Sequence, residues 1–352
     1  MSKDMPKKWT TVILIVMALL FSSAAHVHAT LKKNAKIRTC KLPDLQVDER
    51  PGPADRPTQV SVGLRLINVT EIEDTNQTIT ADFFVSQTWV DPRLTGFEGC
   101  QFSLDEVWTP QIDITNSGRL FTRLRKQVEV LESGRVRHVQ RYRGSLVFRY
   151  DAHRFPFDHH DIVITLLCIE HGQKDVTIII DKSITGRNPA EFDVADWTIS
   201  QVQANVGSKY LDVFNSNHSA FNFSISAERR SGYYIWKVIV PLMLIVFMSW
   251  TVFWIDPSNL GPQIGMSATS MLTLIAFQFA MANILPKLSY YTILDKFIAG
   301  STILVFLALI ESVTTSWLCS NHKKDTSFLM DRVCRWTFPV AFVAMTLLVF
   351  YA

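Results

Sequence analysis

One stretch of the chain spaces its residues as a lining. Between Gly261 and Pro286, the residues Gly265, Thr269, Leu272, Ala276, Phe279 and Asn283 recur three or four apart and so share one face of a helix. Small, hydroxyl and amide side chains interleaved with Leu and Phe have no use against lipid. They suit a helix beside a water-filled path, where polar rungs pass ions and apolar rungs stop them by dewetting. The competing use of such residues is close packing against other helices of the same chain. Two further groups invite chemistry. Arg119, Arg123, Arg125 and Lys126 crowd one segment near Trp108 and Phe121, which suits a small carboxylate or simply a solvated basic face. His153, His159 and His160 surround Phe155-Pro156-Phe157-Asp158, and histidine is the side chain that changes charge near neutrality. No nucleophile elbow, catalytic acid pair or Cys/His metal spacing occurs, so no enzyme, catalytic residue, metal or cofactor is expected.

The elements that must hold these residues follow from composition and period. The 352 residues are 48% hydrophobic and only 19% charged, which fits a protein partly inside a membrane. A net charge of +3 without a long basic run excludes nucleic acid as a partner. Lys7 and Lys8 precede an apolar run from Val12 to Phe21 and then small residues, the pattern of a secretory signal peptide over residues 1–29. Residues 30–230 alternate apolar and polar side chains in short runs: Val60–Val69, Thr78–Val90, Val128–Leu131, Arg135–Tyr142, Asp161–Ile169, Val176–Ile180, Trp197–Val206 and Phe221–Ala227. Turn residues separate them, so the expected domain is an antiparallel β-sandwich. Residues 231–352 carry four apolar segments of bilayer length, expected as helices over about 233–254, 262–284, 291–318 and 332–351. Ser320 to Asp331 is expected as a polar loop. A signal peptide and four spans put both termini outside. Among Cys40, Cys100 and Cys168 one disulfide is possible in an oxidising compartment, and the spacing leaves the pair open.

Several motifs, in order along the chain, resemble the pentameric ligand-gated ion channels of the Cys-loop receptor superfamily, in their prokaryotic, ELIC/GLIC-like branch. Trp89-Val90-Asp91-Pro92-Arg93-Leu94 resembles the strand facing the ligand site across a subunit boundary. Trp108-Thr109-Pro110 with Asp113 and Asn116 resembles the first ligand-site loop, and Phe155-Pro156-Phe157-Asp158 the signature loop. Arg230 matches the basic residue before the first helix, Pro241 the proline within it, and Asn283-Ile284-Leu285-Pro286 the end of the pore helix. The resemblance implies a homopentameric channel gated by a small-molecule agonist (an amine or small carboxylate) or by protons. It implies a bacterial inner membrane, a periplasmic N-terminal domain and permeation of monovalent ions, cations rather than anions. The alternatives are an anion-selective relative or a non-conducting ligand sensor. It also implies an inter-subunit ligand site containing Asp113, Glu170, Tyr210, Phe214 and Trp89. Trp108, Arg119, Arg123 and Arg125 would border the vestibule. Asp158 paired with Arg230, above Pro286 and Lys287 and near Glu73 or Asp74, would couple ligand to pore. Gly172 stands where ELIC carries an aromatic residue, which removes one wall of an amine-binding box. The bracketing disulfide and the large domain between helices three and four are both lacking, as in bacterial members.

Overall fold

The computed structural model describes residues 38–40, 46–187, 194–282, 285 and 288–351. The expected signal peptide, Asn283, Pro286 and Lys287 lie outside the described residues. The strands are β1 Arg38–Thr39, β2 Thr58–Glu73, β3 Thr78–Val90, β4 Cys100–Ser103, β5 Ile112–Ile114, β6 Ser117–Thr122, β7 Gln127–Val130, β8 Arg135–Val147, β9 His159–Cys168, β10 Val176–Ile180, β11 Gly186–Arg187, β12 Trp197–Leu211 and β13 Ser216–Arg229. One sheet runs β1-β4-β7-β8-β3-β2-β10, with β6 added on β8 and β11 on β2; the other runs β12-β13-β9-β5. All eight alternating runs of the sequence fall on strands, but β2, β8, β12 and β13 extend beyond their runs by up to five residues at an end. The alternation is literal: Val60, Val62, Leu64 and Leu66 of β2 are all fully buried, because successive side chains of a strand face opposite sides. These meet Phe83, Trp89, Phe221, Phe223 and Trp197 between the sheets. Burying each such aromatic contributes about 1.5–3 kcal/mol.

Cys40 and Cys100 form the disulfide, which ties the parallel pair β1–β4 together. Cys168 is free and buried at the end of β9, donating from Sγ to the Pro110 carbonyl at 3.0 Å.

Four helices follow, each long and apolar enough to cross a membrane: α1 Gly232–Trp254, α2 Leu260–Met281, α3 Ile293–Ser320 and α4 Lys324–Tyr351. Within α1, Ile235–Ile239 forms a π-helical turn just before Pro241. The wider turn accommodates a ring that cannot donate to the carbonyl behind it. Exposed aromatics mark both ends of the bundle: Tyr233, Trp236, Tyr291 and Tyr351 at the end beside the sandwich, Trp254, Trp317 and Trp336 at the other. Two such bands are the signature of membrane interfaces.

The sequence reading of Ser320 to Asp331 as a loop is corrected. The turn between α3 and α4 is residues 321–323, and α4 begins at Lys324 rather than near 332. Its polar first turns are helical because their polar side chains face α3. Ser327 donates to the Thr315 carbonyl at 2.9 Å, and Asp331 is fully buried close to Glu311.

Candidate functional site

The lining and packing faces of α2 separate cleanly. Gln263, Ser267, Ser270 and Leu274 are buried, with exposures of 0–2%. Gly265, Thr269, Leu272, Ala276 and Phe279 are all exposed, Leu272 at 68% and Phe279 at 75%. At about 100° per residue the two sets lie on opposite sides of the helix. Packing within the subunit is therefore not what the stripe is for. The buried face is bonded to α3 in antiparallel register. Ser316 donates to Gln263 Oε1 at 2.9 Å, Ser267 and Ser312 share a hydrogen bond of 2.7 Å, and Gln278 donates to Thr302 at 2.6 Å. Thr269 on the stripe and Thr273 beside it turn their hydroxyls back onto the carbonyls four residues earlier, at 2.8 Å each. That satisfies the donor and leaves the oxygen free to accept. The outer surface of α4 beyond its first turns contrasts with this stripe: Leu329, Val333, Trp336, Val340, Val343, Leu347 and Leu348 are among its exposed residues, a lipid-facing composition. No charged residue lies between Leu260 and Met281. Asp256 precedes α2, exposed, its carboxyl held below its ordinary range by hydrogen bonds from Ser258.

At the other end of the bundle, a charge cluster joins sandwich and helices. The pairing of Asp158 with Arg230 is corrected: the partner is Arg229. Its Nε donates to Asp158 Oδ1 at 2.8 Å and its terminal nitrogen to Asp158 Oδ2 at 3.1 Å and Tyr150 Oη at 2.9 Å. The same nitrogen lies 2.9 Å from Asp74 in the β2–β3 turn. Arg230 is exposed and bonds Thr198 at 3.1 Å. The period of two decides this: Ile225, Ala227 and Arg229 face inward, Glu228 and Arg230 outward. The guanidinium sits over Trp197 at 4.2 Å and Phe155 at 4.9 Å. Burial opposes its charge, but Asp158 and Asp74 outweigh that and raise its pKa. Burial likewise pushes Asp158 up, and the hydrogen bonds of His160 and Arg229 more than reverse it, holding the carboxyl below its ordinary range. The loop that carries Asp158, whose Phe155-Pro156 bond is cis, is bonded to the helices as well. Tyr290 Oη accepts from Ala152 N at 2.9 Å and stacks on His153 at 4.2 Å. The amides of Ile293 and Leu294 donate to His153 and Phe155 carbonyls at 3.0 and 3.3 Å. Of the two acids offered for this place, Glu73 and Asp74, it is Asp74 that reaches the cluster; Tyr150, Trp197 and Tyr290 were not singled out from sequence. They lie far apart in the chain, and only the fold brings them together.

The remaining ligand-site residues do not converge within one subunit. Trp89 is buried, its Nε1 without a hydrogen-bond partner among the described residues, at a cleft of about 560 Å³ that Arg135, Arg137 and Asp181 also line. Glu170 lines a separate recess of about 250 Å³ with Trp108 and His171. Tyr210 lines a third of about 500 Å³ with Gly172, Lys174 and Asn215. Phe214 is half exposed and packs on His218 at 5.4 Å. Asp113 borders none of these recesses; its Oδ1 accepts from Ile114 N at 2.8 Å. Trp108 does not accompany the basic segment. It is 3% exposed, edge-on to Trp89 at 6.1 Å, whereas Arg119, Arg123 and Arg125 are exposed on and after β6. What Arg123 does approach is Asp82, already bonded by Arg141 at 2.8 and 2.6 Å.

A β-sandwich bonded through a buried charge cluster to four spanning helices, one with a charge-free, partly hydroxylic face turned away from its own bundle, defines a ligand-gated channel subunit. Comparison with known proteins agrees. The family model for the neurotransmitter-gated ion-channel ligand binding domain matches residues 40–231, and that for the neurotransmitter-gated ion-channel transmembrane region matches residues 238–328. The chain belongs to this family, the pentameric ligand-gated ion channels, which are not enzymes. It is 24% identical to a proton-gated ion channel of Gloeobacter violaceus over 303 residues, 84% of either chain. It is 22% identical to the gamma-aminobutyric acid receptor subunit beta-4 of Gallus gallus over 76% of this chain and 57% of that one. With the human subunit gamma-1 the identity is 24%, over 79% and 62%. The match to these receptor subunits therefore spans about three fifths of their length.

Proposed function

We infer that the chain is the subunit of a homopentameric, cation-selective channel of a bacterial inner membrane, its sandwich in the periplasm, gated by protons or a small ligand. The observation that carries this reading is the α2 stripe, exposed on the side opposite the bundle. Five copies around an axis turn it into stacked rings. Leu272 and Phe279 form the apolar constrictions, Thr269 a hydroxyl ring, and Gly265 and Ala276 the wider levels. Cation selectivity is supported by the lack of any base on α2 and by Asp256 as the acid nearest its start. Proton gating is supported by the Gloeobacter relative, which matches over most of both chains. A small carboxylate is the organic agonist favoured by Arg135 and Arg137 beside Trp89, and Glu170 with Tyr210 and Phe214 suits an amine on the facing side. The disulfide fits an oxidising periplasm. Asp158, Arg229 and Asp74 serve as the coupling between sandwich and helices, in which a change of arrangement moves α1 and α3 together.

The test is cysteine substitution along α2 in reconstituted protein. Water-soluble thiol reagents are expected to alter current at 265, 269, 272, 276 and 279 and to leave 267, 270 and 274 untouched, and reversal potentials in asymmetric salt give the charge selected. Reactivity without this period, or protein that never conducts, is the result expected of a ligand sensor.

A further inference from the structure

We propose that His160 is a proton-binding site of this channel and supplies the positive charge its buried junction lacks; the assignment rests on the channel reading above. His160 opens β9, and its side chain is 4% exposed. Its Nε2 lies 2.7 Å from Asp158 Oδ2, the carboxylate that Arg229 also holds. The ring is enclosed by Tyr150 at 4.7 Å, Trp197 at 5.5 Å and Phe148 at 6.1 Å. The ionisable groups around His160 and the cluster it joins come from every side. Asp158 and Asp151 belong to its own loop, Arg229 to the end of β13, Asp74 to the β2–β3 turn, Tyr150 to the segment after β8, and Tyr234 to the first turn of α1.

Charge counting selects histidine as the variable member. Asp158 and Asp74 carry two negative charges, and Arg229 carries one positive charge. With a neutral imidazole the buried cluster is left at net −1; with a proton on His160 it is neutral. An uncompensated charge out of water is costly, and a charge-assisted bond from an imidazolium to a carboxylate is stronger than a neutral one. Neither Asp158 nor Arg229 can act as the sensor between pH 5 and 8. The first is held below the ordinary carboxylate range and the second above the ordinary guanidinium range. Histidine is the side chain whose ordinary range falls there. His153 and His159 are exposed, and His153 pairs instead with Asp151 at 2.5 Å. The cluster His160 completes spans the β2–β3 turn, the loop bonded to Tyr290 and α3, and the strand that runs directly into α1. Proton uptake therefore favours an assembled junction at the place where sandwich and helices meet.

The experiment pairs two readouts on full-length protein: current during steps from pH 8 to 5, and thermal stability in detergent across the same range. Wild type is expected to gain both current and stability on acidification. His160→Gln, eluting as wild type on gel filtration, is expected to lose the acid-induced stabilisation and to shift half-activation by at least one pH unit, a tenfold loss of proton sensitivity. His159→Gln is expected to change neither. An unchanged stability profile and half-activation pH in His160→Gln overturns the assignment. A wild type that never conducts, yet shows a His160-dependent stabilisation, overturns the channel reading and leaves the proton site standing. Should His160→Gln fail to assemble, His160→Lys decides, since it carries charge throughout this range. Loss of pH dependence supports the assignment, and a wild-type profile refutes it.

Discussion

Arg229→Gln is the substitution from which the junction predicts most. The arginine side chain is 2% exposed and bonds Asp158 twice, Asp74 once and Tyr150 once. Glutamine leaves the carboxylates of Asp158 and Asp74, 1% and 17% exposed, without their cation. Removing one partner of a buried pair costs about 3–5 kcal/mol, which is a roughly 150- to 5000-fold rise in the opening equilibrium. Cys168 reports that opening. It is fully buried, burial pushes its thiol up to about 11, and it ends the strand that Asp158 precedes. In a Cys319→Ser, Cys334→Ser background, alkylation of Cys168 at pH 7 in native detergent solution is expected to accelerate by two to nearly four orders of magnitude. Arg229→Lys is expected to lie between, keeping the charge and losing the two-pronged bond to Asp158. The pH dependence has a definite sign. Asp158 is depressed in the folded protein, so its contribution is complete above the ordinary aspartate value, about 3.9, and is lost as pH falls through its lower folded value. The gap between wild type and Arg229→Gln should therefore close below about pH 4. Acceleration of less than tenfold at pH 7, or a gap that widens in acid, would refute the reasoning.

Three further outcomes are expected. Leu272→Ser should raise resting current and sensitivity to activation, because a hydroxyl ring lowers the dewetting barrier; unchanged resting current and sensitivity would remove Leu272 as a gate. Cys100→Ser opens a link between residues 60 apart in the chain, and should lower stability by about 4 kcal/mol, read as a reduced denaturation midpoint with no further loss on adding a reducing agent. Ser267→Ala and Ser312→Ala remove two ends of one 2.7 Å bond, so their effects on thermal stability should be non-additive by about 0.6–1.7 kcal/mol, while their effects on half-activation should add, because a bond kept in both states cancels from the gating equilibrium. Non-additive effects on half-activation would show that the bond is not kept through gating.

Sequence period carried most of the fold because strands and spans here are simple in period. The inward positions of β2 from Val60 to Leu66 and of β13 from Phe221 to Ala227 are apolar without exception, and the four spans are bounded by aromatics and turns. It misplaced the start of α4 because Ser327 and Asp331 are polar for the sake of α3, not of water. The assignment of Arg230 failed for a different reason. It came from matching a motif, whereas extending the inward series Ile225, Ala227 would have reached Arg229 unaided. The α2 stripe was legible in full up to Phe279. The Cys40–Cys100 pair was not, since spacing alone does not choose among three thiols. Trp89, Glu170 and Tyr210 line three separate recesses of one chain; a site shared between subunits leaves no local period for a single sequence to display.

The bonds between α2 and α3 have a mechanical consequence. Gln263 with Ser316, Ser267 with Ser312 and Gln278 with Thr302 mesh like teeth of two racks running in opposite directions. In hydrocarbon no water stands by to take over a broken tooth. Sliding α2 along α3 by a fraction of a turn would disengage all three pairs at once, while swinging both helices as one beam disengages none. In the proposed channel, such a swing would act as a lever whose fulcrum lies near α3's start, where the amides of Ile293 and Leu294 bond the loop above. Such a lever makes the far end of α2, around Gly265, travel farthest for the smallest displacement at the junction.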